Sequence, residues 1–199
     1  MSNDTMTPTP EGALAAMLQA FEARLSTIEA KVDAEVAAIK EQLPEDKASI
    51  IVFSGDLDKT LAAFIIATGA ATMGLEVSMF FTFWGLSAIK KQRLTDGKSL
   101  PERMMALMTP ASSLEMAPSK MAFFGAGSVM LRQMMKEKDV ASLEEMIDLA
   151  RELGVKIVAC EMSMDVMGVK GDELMSDVQL GGVATFLADA TKSRVSLFI

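Results

Sequence analysis

The chain has no histidine and no tyrosine, one tryptophan and one cysteine in 199 residues. Each scarcity excludes some chemistry. Without histidine no imidazole can deprotonate a thiol, which argues against a papain-like hydrolase. One cysteine and no histidine cannot build a usual zinc site, so neither a metal nor any other cofactor is expected. The lone Cys160 can form no intramolecular disulfide and no Cys-x-x-Cys redox pair, so neither a secreted disulfide framework nor thioredoxin-type chemistry applies. Basic charge is also short: 19 Lys and Arg stand against 27 Asp and Glu, a net charge of -8. An acidic surface disfavours nucleic acid and anionic membranes. The start, Met1-Ser2-Asn3-Asp4, lacks the basic and apolar regions of a signal peptide, so a reducing, cytoplasmic setting is expected.

What is present is apolar. Hydrophobic residues make up 50% of the chain and methionine alone accounts for 18 positions. That suits one packed domain with an appendage and rules out a disordered chain. From Thr60 to Ile89 the only charge is Glu76. The uncharged run from Thr60 to Leu75 falls short of the about 20 residues a spanning helix needs. A buried helix followed by a buried strand accounts for it better. Peripheral membrane association through this span is the lesser alternative.

Residues 1–10 hold two prolines and little apolar content and read as a mobile tail. In 11–43, Leu14, Leu18, Phe21, Leu25, Ile28, Val32 and Ile39 recur at alternating steps of four and three, with Glu35 the single break. This heptad seam predicts a helical arm suited to a coiled coil or oligomerisation. The alternative is a helix lying on its own domain. Pro44 stops the helix, and Glu45-Asp46-Lys47 reads as a polar linker.

The domain is expected over 48–199. Ala48–Phe53 is a short β-branched apolar run, a buried strand. Ser54-Gly55-Asp56-Leu57-Asp58-Lys59 follows as a turn in which Asp56 or Asp58 can cap the next helix. That helix runs to about Met73, Gly74 ends it, and Glu76–Thr82 is a second buried strand. Strand, helix and strand in that order predict a parallel βαβ unit. Phe83 and Trp84 come straight after the second strand, at the edge where open α/β sheets hold ligands. A short helix is expected over about Gly85–Gln92 and a polar loop over Thr95–Leu100. Two capping boxes, Ser99 with Glu102 and Ser142 with Glu145, predict helix starts near Pro101 and Leu143. Met121–Phe124 could be a short strand. Gly125-Ala126-Gly127-Ser128 leads into a helix, but lacks both the third glycine of a dinucleotide fingerprint and the Lys-Ser/Thr of a phosphate loop. Val155–Ala159 is a further buried strand, and Ser163 or Asp165 can cap a short turn after it. Gly168–Asp172 is a loop, Leu180-Gly181-Gly182-Val183 opens the last helix, and Val195–Ile199 is an edge strand. The alternation predicts an α/β domain, with a mostly parallel sheet covered on both faces.

Cys160 ends the Val155–Ala159 strand. Backbone N–H groups at the start of a following turn would favour an anionic sulfur there. The chemistries left need one sulfur: taking up and passing on a persulfide, or sensing an oxidant through a sulfenic acid. The bland alternative is an inert buried thiol, since free Cys is among the most buried residue types. Met162, Met164 and Met167 fit packing better than copper(I) ligation.

Three segments carry a resemblance: Ile51-Val52-Phe53-Ser54-Gly55-Asp56-Leu57-Asp58-Lys59, Val77-Ser78-Met79-Phe80-Phe81-Thr82-Phe83-Trp84-Gly85-Leu86, and Cys160-Glu161-Met162-Ser163-Met164-Asp165-Val166-Met167-Gly168. Over about 48–199 the chain resembles the DsrE/DsrF-like family of small sulfur carriers, in its longer branch often labelled peroxiredoxin-like. The arm lies outside the resemblance. The resemblance implies a flavodoxin-like α/β fold, assembly as homotrimers or hexamers, and other sulfur-relay proteins as partners. It implies that Cys160 carries sulfur as a persulfide, or thiosulfate as a thiosulfonate adduct. Ser54, Gly55, Asp56, Asp58, Phe83 and Trp84 would neighbour it. The peroxidatic Thr-x-x-Cys pattern is absent, because Ile157 stands three residues before Cys160. The alternative function is a non-catalytic oligomeric module in which Cys160 is structural.

Overall fold

The computed structural model describes residues 10–120 and 125–199. The chain divides into two compact units, one ending at Leu43 and the other Pro44–Ile199, and each is described by itself. The first is a single α-helix, α1 (Pro10–Gln42). Its seam residues from Leu14 to Ile39 are exposed. Apart from Pro10, where α1 begins, the expected tail over 1–10 lies outside the described residues. So does the strand expected at Met121–Phe124.

The second unit is a five-stranded parallel sheet with helices on both faces and the strand order β4-β3-β2-β1-β5. The elements in chain order are β1 (Glu45–Val52), α2 (Leu57–Thr72), β2 (Glu76–Phe81), a 3-10 helix (Phe83–Ile89), α3 (Leu100–Met108) and α4 (Ala126–Glu137). They continue with α5 (Leu143–Glu152), β3 (Lys156–Cys160), α6 (Glu161–Met167), β4 (Gln179–Gly181), α7 (Val183–Ala190) and β5 (Ser193–Phe198). The fold class is the one expected, with the edge strand beside β1 supplied by the C-terminal segment.

The strand period of two divides the sheet's side chains cleanly. Ala48, Ile50, Val52, Val77, Met79, Phe81, Ile157 and Ala159 face α2 and α5 in the main core. Phe80, Val158 and Cys160 face the other way, against Phe186 of α7. Seven residues of α2 are buried, as an almost uncharged helix requires. Among the described residues no helix is long and apolar enough to cross a membrane.

Both capping boxes form. The Ser99 N–H donates to the Glu102 carboxylate at 2.6 Å, and the Ser142 N–H to that of Glu145 at 2.7 Å. Three local expectations need correction. Glu45-Asp46-Lys47 is the start of β1 rather than a linker, because it pairs with β2 at Glu76 and β5 at Ser193. The short helix expected over about Gly85–Gln92 is a 3-10 helix displaced toward the N-terminus, from Phe83 to Ile89. Gln179–Gly181 is a strand beside β3, where the glycines suggested only a helix start.

Candidate functional site

β3 ends at Cys160, whose backbone is extended and which is the N-cap residue of α6. α6 packs Met164 into the main core on the α2 side. The neighbouring strand, β4, leads instead into α7 on the opposite face. The chain therefore leaves two adjacent strand ends toward opposite faces. Such a switch point is where open α/β sheets bind ligands. Cys160 and Gly181 are the paired residues at this point. A side chain at Gly181 would meet Val158 and Thr185 at 3.0 Å, so its absence keeps the cysteine's neighbour close to α7.

Cys160 is a free thiol with 1% of its surface exposed. Phe80 and Phe186, with ring centroids 5.5 Å apart, share its cluster. α7, the element that supplies Phe186, contains no fully buried residue.

The other predicted site residues divide. Ser54, Gly55, Asp56 and Trp84 line a cavity of about 430 Å³ with Phe53, Lys59, Ser87, Met108, Thr109 and Pro110. Cys160, Asp58 and Phe83 are not among its lining residues. Phe83 packs against Phe53 at 5.6 Å with its backbone at φ 48°, an uncommon conformation for a side-chain-bearing residue. Gly85 then passes so close to β1 that a β-carbon would lie 2.1 Å from the Val52 carbonyl oxygen.

Neither aspartate caps α2 with its side chain, contrary to expectation. Asp56 is the N-cap residue, but its carboxylate accepts from the Ser54 hydroxyl at 3.0 Å and from Lys59 at 2.7 Å. That hydrogen bond raises the Lys59 ammonium above its ordinary value. Asp58 accepts from the Ser119 N–H at 2.7 Å and its hydroxyl at 2.6 Å. Burial alone would raise the Asp58 carboxyl, but these bonds outweigh it and hold it low. Ser163 does not cap α6 either. Its buried hydroxyl shares a 2.6 Å hydrogen bond with Thr82, tying the end of β2 to the first turn after Cys160.

A buried ionic cluster went unseen in the sequence. Glu173 is fully buried and pairs with Lys98 and, at 3.7 Å, with Lys90. It also accepts from the backbone N–H groups of Lys170 and Leu94, at 3.0 and 3.3 Å. Burial would raise its carboxyl, but the Lys98 bond and these N–H groups outweigh it and hold it below the usual range. Burial, partly offset by Glu173, lowers the Lys90 ammonium. Lys90 donates to the carbonyl of Pro110 in the cavity wall. Nothing in the spacing of these residues marks them as buried. Among the described residues no group of three or more His, Cys, Asp and Glu could hold a metal ion.

A parallel sheet with its sole cysteine at a strand end beside a switch point defines a thiol-bearing α/β protein. The chain belongs to the DsrE/DsrF/DrsH-like family, which it matches over residues 44–198. It is 45% identical over 154 residues to YrkE of Bacillus subtilis, covering 77% of this chain and 96% of that protein. It is 34% identical over 163 residues to the sulfur carrier protein DsrE2 of Allochromatium vinosum, covering 79% of this chain and 100% of that one. The crystal structure of YchN from E. coli is similar over 77% of this chain and 98% of its own, with a TM-score of 0.47 and 12% identity.

Proposed function

We propose that the protein is a sulfur carrier in which Cys160 accepts sulfur and passes it to a partner in a sulfur relay. The observation that carries this reading is the position of Cys160, the sole thiol, at the switch point of the sheet in a chain of this family. The 34% identity to a protein named a sulfur carrier supports it. In the transfer, the Cys160 thiolate attacks the outer sulfur of a donor persulfide. A new S–S bond forms on Cys160, the donor's S–S bond breaks, and the donor leaves as its thiolate. With tetrathionate the thiolate displaces thiosulfate and retains the remaining thiosulfonate group. No external oxidant enters either step, because the donor's S–S bond is itself the oxidant: the Cys160 thiolate supplies the electron pair of the new bond, and the pair of the broken bond leaves with the donor.

Because Cys160 is buried, the donor reaches it only when α7 moves. The absence of any fully buried residue in α7 makes that opening inexpensive compared with moving a core helix. Ser54, Gly55, Asp56, Asp58, Phe83 and Trp84 belong to a separate docking wall for the partner, at the same carboxyl edge of the sheet. Assembly into homo-oligomers and a cytoplasmic location complete the reading. The exposed Phe198 of β5 supports the assembly, since burial against another copy would cover it.

Incubation with polysulfide or tetrathionate, followed by intact mass measurement, tests the proposal. Wild type is expected to gain sulfur or a thiosulfonate group, and Cys160→Ser neither. Equal gain by both proteins, or none by wild type, would sink it. The burial of Cys160 favours a second reading, a non-catalytic oligomeric module with a structural cysteine. A native thiol that alkylates no faster than global unfolding allows would select that reading.

A further inference from the structure

The arm α1 lies before the family span, which begins at residue 44. Its seam assigns Leu18, Leu25, Val32 and Ile39 to heptad position a, and Leu14, Phe21, Ile28 and Glu35 to position d. The flanking positions then sort by charge. Position g holds Met17, Arg24, Lys31 and Ala38, and position e holds Ala15, Glu22, Glu29 and Val36, so every charge at g is basic and every charge at e acidic. Arg24 has no acidic residue three or four places away on its own helix, and Glu29 has no basic one. Among the described residues of α1, Arg24, Lys31, Glu22 and Glu29 form no ion pair with one another or with another residue of the arm.

These charges distinguish the two ways identical arms can pair. In parallel arms, position g of one helix meets position e five residues on in the other, so Arg24 meets Glu29 of the second copy, twice by symmetry. Antiparallel arms would set g against g and e against e. Arg24 and Lys31 would then face basic residues, and Glu22 and Glu29 acidic ones. We infer that α1 is an interface for further copies of this chain, joined parallel and in register, with the Arg24–Glu29 pairs selecting that orientation. The exposed seam of Leu14 to Ile39 supplies the buried area, and it persists for over three heptads. This inference is independent of the role of the thiol.

The test uses the full chain in a Cys160→Ser background, which leaves no other thiol. Leu14→Cys and Ile39→Cys are made separately and oxidised gently. Each is expected to form disulfide-linked dimers of its own kind, because parallel arms bring like positions together. Cross-linking that needs the two variants mixed would indicate antiparallel arms and overturn the inference. Failure of both variants to link, alone or mixed, would leave the seam to a different protein and also overturn it. Arg24→Glu is expected to lower the yield of the Leu14→Cys link by about fivefold in low salt, and Glu29→Arg to do the same. Combining the two exchanges restores the pairing and the yield. A double variant no better than either single one would remove Arg24–Glu29 as the selecting contact.

Discussion

The two faces of the sheet are built differently. The face toward α2 and α5 is closed: Ile50, Val52, Met79, Phe81, Ile157 and Ala159 are all at most 3% exposed, and Phe64 and Phe81 pack with centroids 5.8 Å apart. The face toward α7 is thinner. It mixes Phe80, Val158 and Cys160 with serines, one of which, Ser49, hydrogen bonds Ser193 at 2.7 Å. Lys156 reaches Asp189 of α7 at 2.9 Å, and Val183 and Leu187 of that helix remain exposed. One face carries the main core, and on the other the cysteine lies beside a helix that has no fully buried residue. Stability and thiol access are therefore expected to respond to different residues.

Substitutions can separate the faces. Phe64→Ala, on the closed face, is expected to lower unfolding stability by about 4 kcal/mol, read from chemical denaturation, while leaving the relative reactivity of the native thiol unchanged. Glu173→Gln should cost about 3 kcal/mol, because two buried lysines lose their carboxylate. A smaller loss would mean that water or a rotated lysine restores the balance. The same glutamate sets an acid dependence. Its folded value is depressed, so its contribution is full above the unfolded value near 4.3 and is lost as pH falls through the lower folded one. Denaturation midpoints measured from pH 6 down to pH 3 should fall less steeply in Glu173→Gln than in wild type. Phe186→Ala should have the smallest effect on stability, about 1 kcal/mol, since the side chain is only partly buried. It should nonetheless raise the alkylation rate of Cys160 roughly tenfold. A large loss of stability without faster alkylation would show that α7 is part of the core and no cover.

The legible parts of this fold have short-range causes. The βαβ unit could be read because apolar stretches at 50–52 in β1 and 79–81 in β2 flank a largely apolar helix. The starts of α3 and α5 could be read because their capping boxes satisfy backbone N–H groups within four residues. β4 could not be read, being three residues long and ending in glycine, with its strand character coming only from pairing with β3. Gly85 looked like a helix start, whereas its main constraint is the Val52 carbonyl, 33 places earlier in the chain. The candidate site was half legible. Cys160 at a strand end could be found from its context. Its burial beside Phe186, its absence from the lining of the Ser54–Trp84 cavity, and the Thr82–Ser163 link depend on which face each side chain takes.

The sequence alone made Cys160 the first candidate for covalent chemistry, because a chain without histidine and with a single cysteine offers neither a thiol–imidazole pair nor a dithiol pair. It also determined the alternation of strands and helices and the heptad seam of the arm, since both are periodicities of consecutive residues. Only the tertiary structure decided that α6 and α7 leave neighbouring strands toward opposite faces, that Gly181 lies beside Cys160, and that Glu173 is buried between two lysines. Those relations join residues distant in the chain, and no local pattern encodes them.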